Sequence, residues 1–184
     1  MTSLITTALV GFFVYSGVGG AAAPTAWASE MPPAPTYQVS MTAYNAVPAQ
    51  TDSDPLVTAS GILSNPDIVA ARSQDLADEL PFGTVINVLA ATSSPNCGLG
   101  LVHDMIGLRV IADSMHPRKH NQIDIMFDPQ DTVKVGSKPT NPAIVLGMCK
   151  DVRIQVVGFI DLKHVPKTQL ELQAMVSGPS LASK

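Results

Sequence analysis

Short apolar runs separated by proline- and glycine-containing turns dominate this chain and constrain its fold more than any other feature. Residues 37–44 alternate with a period of two, which places Val39, Met41 and Ala43 on one face, as in a β-strand. Further strands are predicted over residues 56–62, 68–71, 84–91, 107–113, 122–127 and 151–160. So many short strands favour a small closed barrel, because closure removes exposed strand edges. The periodicity alone does not distinguish a barrel from a sandwich.

Helical signals are few and short. Ser73 is a typical N-cap, and the acidic residues that follow it predict a helix or 3₁₀ turn over residues 73–79. Asp128 precedes a proline and predicts a second short helix that ends near Val135. Residues 136–142 are predicted to be a loop, and residues 167–184 a frayed end.

The N-terminal segment predicts export. Residues 1–28 carry no charged side chain and end in Ala26-Trp27-Ala28, the small-x-small pattern that signal peptidases cleave. We therefore expect a signal peptide over residues 1–28 and a periplasmic or secreted protein. An uncleaved membrane anchor is the alternative, because the run approaches the ~20 residues that span a bilayer.

The remainder of the chain divides into three predicted parts. A proline-rich linker covers residues 29–36, a β-domain covers residues 37–160, and a C-terminal tail covers residues 161–184. The net charge is −4, so the chain lacks the excess of basic residues that is typical of nucleic-acid-binding domains. We expect a monomer with no nucleic-acid partner, and contact with a membrane only if the N-terminal segment is not cleaved.

Cys97 and Cys149 are the only cysteines. An even number of cysteines in an exported protein favours a disulfide between them. Two buried thiols that pack as small apolar residues are the alternative.

Two aspartates eleven positions apart, Asp113 and Asp124, are the strongest candidates for chemistry. Each follows or interrupts an apolar run, and we expect the two strands to pair and to place both carboxylates in one cleft. Burial in the strand 122–127 should raise the pKa of Asp124 and suit it to general acid catalysis. The alternative is that Asp124 caps a turn or pairs with Arg118 or Lys119.

Three blocks in the order 50–61, 68–88 and 111–127 resemble the three-aspartate (3D) domain of bacterial cell-wall proteins. That domain is related to the barrels of membrane-bound lytic transglycosylase A and of rare lipoprotein A. The resemblance covers residues 39–158. It implies a mainly β fold, a six-stranded double-psi β-barrel with short helices and loop insertions.

The resemblance also implies an activity on peptidoglycan glycan strands. Lytic transglycosylases cleave the β-1,4 bond between N-acetylmuramic acid and N-acetylglucosamine with one aspartate, without metal or cofactor. The family motif carries this role to Asp124, with Asp113 as its support and Asp52 at the earlier acidic position. The predicted substrate-binding residues are Thr42, Tyr44, Thr58, Ser60, Arg118 and Asn121.

The loop after Asp113 departs from the active transglycosylases. Their loop is glycine-rich, whereas residues 114–121 read SMHPRKHN and are bulky and basic. A non-catalytic peptidoglycan-binding module and a structural module of the envelope are therefore alternatives.

Three histidines, His103, His116 and His120, invite a metal site. Pro117 argues against the helix that would bring the last two rings to one face. We expect a solvated loop, or contacts from it to carboxylates of the cell wall, and no metal.

Overall fold

Six strands close into a barrel in the computed structural model, which describes residues 33–51, 54–91 and 96–178. The barrel strands are β1 (Thr36–Asn45), β2 (Val69–Arg72), β3 (Thr84–Ala90), β4 (Leu108–Ser114), β5 (Gln122–Phe127) and β8 (Cys149–Phe159). A separate hairpin joins β6 (Val133–Val135) to β7 (Lys138–Thr140). The helices are α1 (Leu99–Ile106), α2 (Pro142–Leu146) and α3 (Gln169–Ser177).

The strand order around the barrel is β1-β5-β2-β4-β3-β8, and β8 returns to β1. The pairs β1/β5 and β2/β4 are parallel, and the other four pairs are antiparallel. The predicted fold class is confirmed as mainly β, with a closed six-stranded barrel and a few short helices. This mixed topology is compatible with a double-psi barrel.

Strands β2, β4 and β5 are largely buried on both faces, whereas β8 keeps one exposed face. In β4, Ile111 packs into the cluster inside the barrel, whereas its neighbours Val110 and Ala112 pack into a second apolar cluster. Leu172 of α3 is fully buried in that second cluster. Residues 167–184 are therefore not a frayed end throughout, because α3 covers part of the outer barrel wall.

The strand prediction is wrong in two places. Residues 56–62 form a tight loop with a single bridge, between Val57 and Leu63, because the chain turns at Gly61 with φ of 84°. The strands β4 and β5 do not pair with each other, since β2 lies between them and pairs with both. The second error concerns the choice of partner strand, which a local pattern does not specify.

The region 128–146 also differs from the prediction. The helix expected to end near Val135 is absent from it, because Val133–Val135 pairs with Lys138–Thr140 as a hairpin. The expected loop 136–142 therefore contains a strand. It leads into α2, where Asn141 Oδ1 accepts a 2.9 Å hydrogen bond from the backbone nitrogen of Ala143 as an N-cap.

The disulfide between Cys97 and Cys149 is confirmed. It ties the segment before α1 to the first residue of β8 across a sequence separation of 52 residues. A disulfide is compatible with an oxidising compartment. Within the described ranges, no helix combines the length and apolarity that a membrane crossing requires.

The predicted signal peptide, residues 1–28, lies outside the described residues, as do the first four residues of the predicted linker. The barrel strands run from Thr36 to Phe159.

Candidate active site

Ala71 of β2 lies in register with two aspartates on the strands beside it. Its partner on β5 is Asp124, and its partner on β4 is Asp113. Thr42 of β1 is in turn the partner of Asp124. Because residues in register share a face and neighbouring strands are ~4.8 Å apart, the two aspartate backbones are about 10 Å apart on one face. The methyl group of Ala71 leaves the space between them open.

Both carboxylates line one cavity of about 580 Å³. This volume lies within the range of small-ligand sites. The cavity is bounded by β-strand residues on one side and by loop residues from 49–51, 55–64 and 115–119 on the other. Its walls are Tyr44, Ala49, Gln50, Thr51, Pro55, Val57, Ser64, Ala71, Asp113, Ser114, Met115, His116, Arg118, Lys119 and Asp124.

Three donors hold the Asp113 carboxyl group in place. Tyr44 Oη donates to Oδ2 over 2.8 Å. The backbone nitrogens of Ala59 and Ser114 both donate to Oδ1 over 2.9 Å. Burial and the neighbouring Asp113 charge raise the pKa of Tyr44, so its phenol remains a donor.

Asp124 has a different environment. Thr42 Oγ1 donates to Asp124 Oδ1 over 2.8 Å, and Gln122 Nε2 donates to the same hydroxyl over 2.7 Å. Burial raises the pKa of Asp124 to about 6, and the Asp113 charge acts in the same direction. The hydrogen bond from Thr42 and the charge of Lys119 oppose this rise. Asp124 therefore exchanges a proton in the mildly acidic range.

Asp124 does not form the alternative ion pair with Arg118 or Lys119. Among the described residues, neither cation has a nitrogen within 4.0 Å of a carboxylate oxygen. Asp124 instead accepts a hydrogen bond from Thr42.

Thr58 and Ser60 stabilise a turn that contacts Asp113. Their hydroxyl oxygens are 3.1 Å apart, and Thr58 Oγ1 also donates to the Ile62 carbonyl over 3.2 Å. These bonds shape the turn whose Ala59 nitrogen reaches Asp113. Neither hydroxyl residue lines the cavity, so the structure places them as supports of Asp113 and not as substrate ligands.

Of the other predicted substrate ligands, Tyr44 and Arg118 line the cavity, whereas Thr42 and Asn121 do not. Asn121 ends the basic loop with φ of 46° and donates from Nδ2 to the Gln38 carbonyl over 3.2 Å. Asp52 lies outside the described residues, although its neighbours Gln50 and Thr51 line the cavity.

The three histidines that suggested a metal site lie in three different places. His103 is in α1, His116 lines the cavity, and His120 lies 3.9 Å from Asp75. Within residues 33–51, 54–91 and 96–178, no group of three or more His, Cys, Asp or Glu side chains is arranged to hold a metal.

Gln122 and Ala71 are site residues that the sequence analysis missed. Gln122 is polar in an otherwise apolar strand and stands two residues before Asp124, hence on the same face. That spacing is a signal that could have identified it. Ala71 carries no chemical signal, because its role is its small size between two carboxylates.

Comparison of the chain with protein-family models and with curated proteins gives no match.

Proposed function

We propose that this protein acts on peptidoglycan as a lytic transglycosylase that cleaves the β-1,4 bond between N-acetylmuramic acid and N-acetylglucosamine. The observation that carries the proposal is Asp124, a carboxyl group with a pKa of about 6 in an open cavity that it shares with Asp113. A group with this pKa holds a proton at mildly acidic pH and releases it readily, as an acid that later acts as a base must.

In the proposed reaction, protonated Asp124 donates its proton to the glycosidic oxygen as the bond to the muramyl C1 breaks. The ionised Asp124 then takes the proton from the muramyl C6 hydroxyl, whose oxygen attacks C1 and closes the anhydro ring. Asp124 ends the cycle protonated, and no water is consumed. Asp113, held by Tyr44 and two backbone nitrogens, stabilises the positive charge that develops on the sugar.

The barrel supports the proposal at the level of architecture. Its closed, mixed six-stranded topology is compatible with a double-psi barrel, and its disulfide is compatible with export to the periplasm or the medium. The exported location and the glycan partner remain part of the proposal.

A non-catalytic peptidoglycan-binding module is the second candidate. The bulky, basic loop residues His116, Arg118 and Lys119 at the cavity favour it, because they could hold a glycan without moving a proton. An envelope structural module would neither bind nor cleave.

Digestion of purified sacculi distinguishes these functions. The wild type should release anhydro-muropeptides, and Asp124→Asn should release none while it stays folded, because an amide cannot donate and recover a proton. Asp113→Asn should retain more activity, with a loss of about 10²-fold. Asp104→Asn is the matched control, since its side chain is fully exposed on α1.

Each outcome has a defined reading. Full activity in Asp124→Asn contradicts the assignment of the acid. Intact sacculi that sediment with the protein favour the binding module, and the absence of both binding and products favours the structural one.

A further inference from the structure

Three basic or titratable side chains lie on the wall of the cavity that holds the aspartates. His116 and Arg118 are exposed, and Lys119 is half-buried. They come from one short loop after β4. The cavity therefore combines two carboxylates on the sheet with two cations, Arg118 and Lys119, and the imidazole of His116 on the loop. We call these three loop residues the basic rim.

The cations of the basic rim have no acidic partner among the described residues. The ion pairs within 4.0 Å in this part of the chain all involve other histidines and include neither Arg118 nor Lys119. An incoming anion therefore need not displace an existing carboxylate from them. Free cations facing a cavity differ in this respect from the charge pairs of an ordinary surface.

Backbone hydrogen bonds hold the loop at both ends and in the middle. Met115 N donates to the Arg72 carbonyl, Lys119 N to the His116 carbonyl, and Asn121 N to Asp75 Oδ2, each over 2.9 Å. Because the backbone is already ordered, binding an anion here costs mainly the freedom of side chains.

Lys119 also acts on the reacting carboxyl group. Lys119 and Asp124 line the same cavity, and the Lys119 charge lowers the pKa of Asp124 against the effect of burial. An anionic group bound by Lys119 would consequently lie near the bond that Asp124 protonates.

We infer that the basic rim selects saccharides with a free carboxylate beside the bond to be cleaved, and that Arg118 and Lys119 are the specificity-determining residues. The saccharide part of this inference rests on the proposed function. The requirement for an anion rests on the basic rim alone.

Binding of one matched ligand pair tests the inference without turnover. The ligands are oligosaccharides of alternating N-acetylglucosamine and N-acetylmuramic acid, with the lactyl carboxylate either free or converted to its methylamide. Calorimetry with the Asp124→Asn protein at low ionic strength should show about tenfold tighter binding of the free carboxylate, the effect of two partly exposed charge pairs. Added salt should reduce the difference.

Substitution of both cations should abolish the preference. In the Asp124→Asn background, Arg118→Gln with Lys119→Gln should bind both ligands with the affinity that the parent shows for the methylamide. Lys150→Gln with Arg153→Gln removes the same two charges from exposed positions on β8 and should keep the preference. Circular dichroism and a melting curve confirm that each variant is folded.

Three results would overturn the inference: equal affinity for the two ligands, a preference that survives loss of both cations, or no binding of either ligand. Failure of the proposed function looks different. A preference for the carboxylate in a protein that yields no anhydro products from sacculi would reject the catalysis and leave the specificity. Anhydro products without a preference for the carboxylate would support the catalysis and reject the specificity.

Discussion

The hydroxyl of Thr42 donates a 2.8 Å hydrogen bond to Oδ1 of Asp124. The same hydroxyl accepts from Gln122 Nε2, so its own proton is directed at the carboxyl group. This leaves Oδ2 of Asp124 as the oxygen that carries the exchangeable proton. Adjacent strands, β1 and β5, thus set both the orientation and the acidity of one side chain.

Replacement of Thr42 by Val should raise the pKa of Asp124 above its value of about 6, because the hydrogen bond from Thr42 lowers that pKa. The pH above which lytic activity falls should move upward with it. NMR titration of the Asp124 carboxyl carbon measures the shift directly. Thr42→Ser keeps the hydroxyl and should titrate as the wild type does, and an unchanged pKa in Thr42→Val would refute this role.

Asp124→Asn should make the stability of the fold less dependent on pH. The folded-state pKa is raised from 3.8 to about 6, so the folded protein binds more protons than the unfolded chain between these values. The free energy of unfolding of the wild type therefore falls as pH rises through this window, by up to about 3 kcal/mol. The Asp124→Asn variant lacks this titrating group, so its free energy of unfolding does not show this decrease. Guanidinium unfolding at pH 4 and 7.5 should show a greater advantage for Asn at the higher pH; an equal difference at both would exclude the raised pKa.

Lytic activity should be highest at mildly acidic pH and unaffected by chelators. The cycle begins with protonated Asp124, so the rate should decline as pH rises through about 6. A pH-rate profile on sacculi with and without EDTA provides the measurement. If EDTA inactivates the protein and zinc restores it, the aspartate mechanism fails.

Arg109 should be the most sensitive charged residue for folding. Its guanidinium is buried and donates to backbone carbonyls of Ile106 (2.6 Å), Met105 (3.0 Å) and Met126 (3.0 Å), and also to that of Pro66. Burial lowers its pKa to about 10, so it stays charged at neutral pH.

Arg109→Met should lower the free energy of unfolding by about 3–5 kcal/mol, because several buried carbonyls lose their donor. Arg109→Lys keeps the charge but cannot reach all of these carbonyls, and should recover only part of the loss. Arg153→Lys on the exposed face of β8 is the control. Denaturant titration that finds Arg109→Met within 1 kcal/mol of the wild type would contradict this account.

Reduction of the Cys97–Cys149 bond should destabilise the barrel without unfolding it. A closed loop of this length contributes about 4 kcal/mol by the chain-entropy argument, whereas the barrel has an apolar core of its own. Non-reducing mass spectrometry of protein recovered after export should show the mass of the bridged chain and no reactive thiol. Free thiols in that material would reject export into an oxidising compartment.

The sequence by itself determined the positions of the barrel strands and the direction of the Asp124 pKa shift. Period-two alternation and apolar runs locate β1, β2, β3, β4, β5 and β8 to within a few residues, because these strands bury continuous apolar surface. The raised pKa of Asp124 also followed from its apolar neighbours, since desolvation is largely a local property. The cysteine pair followed from the cysteine count.

Only the tertiary structure decided which strands are neighbours. A strand pattern records which face is buried and not which partner it meets, so the insertion of β2 between β4 and β5 was not predictable from it. That insertion gives Ala71 its place between the two aspartates. The role of Gln122 and the carbonyl partners of Arg109 depend on the same long-range closure, because their contacts join segments far apart in the chain.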